Sequence, residues 1–101
     1  MAFTLAIPVH PGELIKDEVL PQYGLNVSRA AEVLHVSRPS FNNFLNGKGG
    51  IGTDLAFKIE QAFGVTAASL MQMQVLWDLW NAEQRRPAVV DGIQRQRAIA
   101  A

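Results

Sequence analysis

The sequence predicts an all-α fold of five helices, and three observations carry that expectation. Apolar residues recur at intervals of three and four, Asn26, Ser37 and Thr66 stand just before such runs, and glycine follows several of them. No alternating β pattern and no internal repeat is visible. With 101 residues, 49% hydrophobic and 18% charged, the chain has room for one core and not two.

Pro11 sits where a first helical turn tolerates a missing N–H, with Glu13 near the positive end, and Leu14, Ile15, Val19 and Leu20 follow at helical spacing. Pro21 and Gly24 are expected to close this helix. Asn26 caps a second, short helix whose stripe is Ala30, Ala31, Val33 and Leu34, and His35 ends it at a sharp turn, a place that favours positive φ. Ser37 caps the third helix, from Arg38 to Leu45, with Pro39 inside its first turn. Asn46-Gly47 ends that helix, and Gly49, Gly50 and Gly52 form a loop of little stiffness. Leu55, Ile59, Ala62 and Phe63 mark a fourth helix that stops at Gly64, and Thr66 caps a fifth that runs to about Glu83. Beyond Arg86-Pro87 the pattern fades. Residues 1–83 therefore read as the folded domain and 84–101 as a polar, arginine-containing tail expected to be mobile.

Composition narrows function further. No cysteine is present, which excludes disulfide scaffolds, thiolate zinc sites and cysteine nucleophiles. No apolar run is long enough for a membrane helix, and Met1 to Val9 lacks the charged start and long apolar stretch of a secretory signal, so a cytoplasmic protein is expected. Nine bases balance nine acids, yet residues 1–83 sum to −3 and residues 84–101 to +3. Between Glu32 and Asp54 the only charges are Arg38 and Lys48, so a polyanion met by the body of the domain is expected there.

Two short helices, Asn26–Leu34 and Ser37–Leu45, joined by a tight turn, have the layout of a helix-turn-helix that places its second helix in the major groove of DNA. Phe41, Phe44 and Leu45 supply the inner side of that helix. Arg38, Ser40, Asn42 and Asn43 are then the outward candidates, and arginine and asparagine are the types that read guanine and adenine edges. Ser37 with the free N–H groups after it, and Lys48 just past the helix end, are candidate phosphate grips.

The runs His10-Pro11-Gly12-Glu13-Leu14, Val36-Ser37-Arg38-Pro39-Ser40, Leu45-Asn46-Gly47-Lys48, Leu55-Ala56 and Ala62-Phe63-Gly64 resemble the HigA/VapI-type antitoxins of the Cro-repressor-like helix-turn-helix superfamily. The resemblance spans roughly residues 8–83 and implies a lambda-repressor-like domain that dimerises, binds an operator palindrome and represses its own operon. It also implies a ribonuclease toxin of the RelE type as protein partner. Carried residue by residue, the DNA-facing positions are Ser37, Arg38, Pro39, Ser40 and Asn43, with Val27 and Lys48 as backbone grips. Five positions depart from the family pattern: Val27 where a polar residue is common, Gly49 and Gly50 where arginines are frequent, Gly52 where serine caps, and Leu70 where tryptophan is usual. Loss of phosphate grips at Val27 and Gly49-Gly50 implies weak, salt-limited binding, or help from the arginine tail.

Leu70, Met73, Trp77 and Trp80 lie at one-face spacing on the fifth helix, and Met71, Val75 and Leu76 widen the arc. The stripe reads either as ordinary core or as a face for a second subunit, with Leu70, Met73, Leu76, Trp77 and Trp80 as the expected dimer contacts. His10 and His35 have no metal-ligand spacing, and a structural or solvent-facing role is expected of both. No glycine-framed nucleophile or phosphate-cradling loop is present, so no enzyme and no cofactor is expected. Glu13, Asp17 and Glu18 read as an acidic side that is solvated or meets a basic partner. The competing reading is a protein-interaction module that only dimerises or binds a toxin, its DNA contacts vestigial.

Overall fold

The computed structural model describes residues 7–99, and all regular structure among them is helical. Helix α1 (Pro11–Leu14) runs through a π-helical stretch (Ile15–Val19) into α2 (Leu20–Tyr23), so the first expected helix is one continuous rod. Then follow α3 (Val27–Leu34), α4 (Arg38–Leu45), α5 (Thr53–Phe63) and α6 (Ala67–Ala82), the other four expected helices. A 3-10 turn (Glu83–Arg85) leads into a short α7 (Arg86–Val89).

Pro21 lies inside the first rod rather than closing it. It has no N–H for the carbonyl of Asp17, and its ring would crowd that carbonyl in a regular helix. The π stretch, in which Leu20 N–H bonds Ile15 O, widens the backbone just upstream and relieves the clash. Closure falls to Gly24 at φ 63, whose N–H donates to Pro21 O while Leu25 N–H donates to Leu20 O.

The same device ends α3 and α4. His35, at φ 54 the only non-glycine residue with positive φ among those described, donates its N–H to Glu32 O, and Val36 N–H reaches back to Ala31 O. Gly47, at φ 74, does likewise with Phe44 O, and Lys48 N–H with Asn43 O. At the starts, Asn26 Oδ1 accepts from Arg29 N–H at 2.8 Å, Ser37 Oγ from Ser40 N–H at 3.3 Å and Thr66 Oγ1 from Ser69 N–H at 3.2 Å.

The core gathers Ile15, Val19 and Leu20 from the first rod, Ala30, Ala31 and Leu34 from α3, and Phe41, Phe44 and Leu45 from α4. Ile51, Ala56, Ile59, Phe63, Ala67 and Leu70 complete it. Helix α3 packs on α4 and α5, α5 on α6, and α1 on both α4 and α6. Val33 and Ala62, expected inside, lie at the surface because α3 and α5 bury narrower arcs, centred on Ala30–Leu34 and Ala56–Ile59–Phe63. Beyond α6 the helical path persists further than the pattern suggests, with Pro87 in the first turn of α7. That helix packs chiefly on the 3-10 turn before it. The radius of gyration, 17.6 Å, exceeds the roughly 13 Å of a compact chain this long. No helix among the described residues is long and apolar enough to cross a membrane.

Candidate nucleic-acid interface

The face of interest is built by a three-residue turn, His35–Val36–Ser37, that sets α4 against α3. Lys58 on α5 braces the turn, its ammonium donating to His35 O at 3.2 Å, where a cation also suits the negative end of α3. Buried Phe41, Phe44 and Leu45 then fix which side of α4 looks outward.

That outward side carries Ser37, Arg38, Pro39, Ser40, Asn42 and Asn43, all exposed. Among the described residues the ion pairs are Arg29–Glu32 at 2.8 Å and Glu83–Arg86 at 3.2 Å, so neither Arg38 nor Lys48 is neutralised by a carboxylate. Inside the fold Asn42 and Asn43 are engaged through their backbone: Asn42 O accepts from Asn46 Nδ2, and Asn43 O from Lys48 N–H. Among the described residues their side-chain amides have no hydrogen-bond partner and keep donor and acceptor together, as pairing with an adenine edge requires. Lys48 stands exposed one residue past the left-handed Gly47. Val27 is different. It is half-buried and packs against the core, so only its backbone N–H at the start of α3 is left to meet a phosphate.

The residues proposed for a second subunit do not form one surface. Leu70 is 0% exposed and belongs to the chain's own core, which removes it from the contact set. Met73 and Trp77 are half-buried, and the indole of Trp77 stands edge-on to the His10 ring at 5.3 Å. Leu76 and Trp80 are exposed, as is Val75, which widens the expected arc, and they are joined by Leu79, which the periodicity did not single out for that face. The helix is apolar nearly all round, so spacing alone cannot tell its inner arc from its outer one.

Three residues hold this region together in ways the sequence did not specify, although a structural role for His10 was among the expectations. His10, 3% exposed, caps α1: its Nδ1 accepts from Gly12 N–H at 2.9 Å. The ring proton therefore sits on Nε2, which donates to Gly49 O at 2.9 Å. Gly12 is required by a close approach, since a Cβ there would lie 1.9 Å from Phe44 O. Gln74, 7% exposed, accepts from Ile51 N–H at 3.1 Å through Oε1 and donates from Nε2 to Asp78 Oδ1 at 2.8 Å. A signal existed for it: Gln74 falls between Leu70 and Trp77 at intervals of four and three, a polar residue on the inner arc.

No family model matches the chain. Over 81 residues it is 36% identical to virulence-associated protein I of Dichelobacter nodosus, covering 80% of this chain and 75% of that one. Over 78 residues it is 33% identical to antitoxin HigA-1 of Vibrio cholerae, covering 77% and 73%. Among solved structures, antitoxin GraA in complex with its operator superposes with a TM-score of 0.81 at 28% identity, covering 97% of this chain and 100% of that one.

Proposed function

The chain belongs to the HigA/VapI-type antitoxins of the helix-turn-helix superfamily, and from that premise we propose that it is a sequence-specific DNA-binding repressor of its own operon. It is not an enzyme. Acting as a homodimer, it lays two copies of α4 into successive major grooves of a palindrome about 34 Å apart and excludes transcription by occupying the promoter. The observation that carries this reading is the outward side of α4: Arg38, Ser40, Asn42 and Asn43 exposed, with no acid between Glu32 and Asp54, on the scaffold shared with an operator-bound antitoxin. Arg38, Asn42 and Asn43 read base edges, while Ser37, Ser40, Lys48 and the backbone at Val27 hold phosphates. Pro39 fits the close approach of the first turn to the duplex.

The second subunit covers the outer arc of α6, with Leu76 and Trp80 at its centre and Met73 and Trp77 at its edge. The five-helix body is the functional domain, ending near residue 83. A ribonuclease toxin is the expected protein partner, supported by family membership.

A mobility-shift assay with DNA from upstream of the chain's own reading frame tests the proposal. The expected result is a discrete complex that resists competition by unrelated duplex. Capture of a toxin without any such complex would favour the interaction-module reading instead, to which half-buried Val27 and Gly49-Gly50 lend some support.

A further inference from the structure

The geometry points to Gln74 and His10 as positioning residues for the loop Gly47–Ile51, tying the phosphate grip of Lys48 to the inner face of α6; this rests on the DNA-binding reading above. The loop has little stiffness of its own. Gly47 and Gly49 take φ values of 74 and 146, and Gly50 and Gly52 follow, so apart from the buried side chain of Ile51 at its end few side-chain contacts restrict it. Between Lys48 and the start of α5, two hydrogen bonds to distant elements hold it among the described residues: Gly49 O to His10 Nε2, and Ile51 N–H to Gln74 Oε1.

Both anchors are themselves held. The Gln74 amide cannot flip without loss, because Nε2 is engaged by Asp78 Oδ1 at 2.8 Å while Oε1 must face a buried N–H. The His10 ring is fixed by Gly12 N–H on one nitrogen and by the edge contact with Trp77. Gln74 and Trp77 are one turn apart on α6, so a single helix face backs the loop from two sides. A loop ordered before it meets DNA loses no further backbone entropy on binding, and Lys48 then delivers its charge at full strength.

Titrating the operator fragment over a range of salt with the full chain and its variants decides the matter. Gln74→Leu is expected to bind roughly tenfold more weakly, with the salt slope reduced by about 1 and base preference unchanged. Asp78→Ala should weaken binding in the same sense, and Asp78→Asn, whose amide oxygen still accepts from Gln74, should bind like the parent. In a Lys48→Ala background, Gln74→Leu should add little, because the group it positions is gone. A folded Gln74→Leu variant with the parent's affinity and slope overturns the proposal, as does full additivity with Lys48→Ala. If Gln74→Leu fails to fold, equal affinities for Asp78→Ala and Asp78→Asn overturn it. A parent chain that binds no upstream DNA overturns the DNA reading and this inference with it, an outcome told apart by the parent titration alone.

Discussion

Gly12 and Asn43 show how differently two residues earn their place. At Gly12 the backbone of α1 lies against the carbonyl of Phe44, and a methyl group there would stand 1.9 Å from that oxygen, which is fixed backbone and cannot step aside. Gly12→Ala should therefore cost at least about 1–3 kcal/mol of stability, read from urea unfolding, despite the helix preference of alanine. Asn43 carries no such burden inside the fold. Asn43→Ala should leave the unfolding midpoint nearly unchanged but lose about 1–3 kcal/mol on the operator and relax preference at one base position. Lys48→Ala should weaken all duplexes alike and lower the salt slope by about 1. A specificity change for Lys48→Ala, or a uniform loss for Asn43→Ala, would reverse the two assignments. The outward polar residues were legible because they sit opposite Phe41, Phe44 and Leu45. The reason for Gly12 was not, since nothing local marks a glycine that faces another helix.

Helix ends translate most directly from sequence to structure, because a cap is chemistry within a few residues. Asn26, Ser37 and Thr66 all accept the expected backbone N–H groups, and His35 takes the left-handed conformation that its position between two helices requires. His35→Gly is expected to keep stability or raise it slightly. His35→Val, whose branched Cβ opposes φ 54, should lower it by about 1–2 kcal/mol, and thermal unfolding of the pair gives the comparison. The same turn sets the angle of α4, so His35→Val should weaken operator binding and His35→Gly should not. Pro21 shows the limit of local reading. Proline as a helix stop is the ordinary expectation, but the π stretch at Ile15–Val19 lets the rod continue to Tyr23, whose hydroxyl donates to Phe63 O at 3.2 Å. Contact with α5 across the core favours the longer rod, and that contact lies 40 residues away in sequence.

At the scale of the whole molecule, α6 is divided between two tasks. Leu70 and Gln74 face inward, while Val75, Leu76, Leu79 and Trp80 remain exposed, an apolar arc of a kind that isolated domains rarely leave open. Leu76→Glu should shift sedimentation from dimer to monomer and weaken operator binding steeply, since a palindrome is held by two linked half-sites. Leu70→Ala should act otherwise, removing about 2–5 kcal/mol from the fold of each chain through a cavity in the core. If Leu76→Glu remains dimeric, the outer arc of α6 is not the subunit contact.

By itself the sequence determined the five helices of the body, the caps, the left-handed His35 and the outward residues of α4, because each is set by neighbours within a few turns of chain, and its ordered motifs determined the family. The tertiary structure alone decided which arc of α6 is core, why Gly12 has no side chain, and what holds the glycine loop after α4. Those depend on groups brought together from distant parts of the chain: Phe44 on Gly12, Gln74 on Ile51 and His10 on Gly49. An apolar residue carries the same signal whether its face meets its own core or a second subunit, so only packing separates the two.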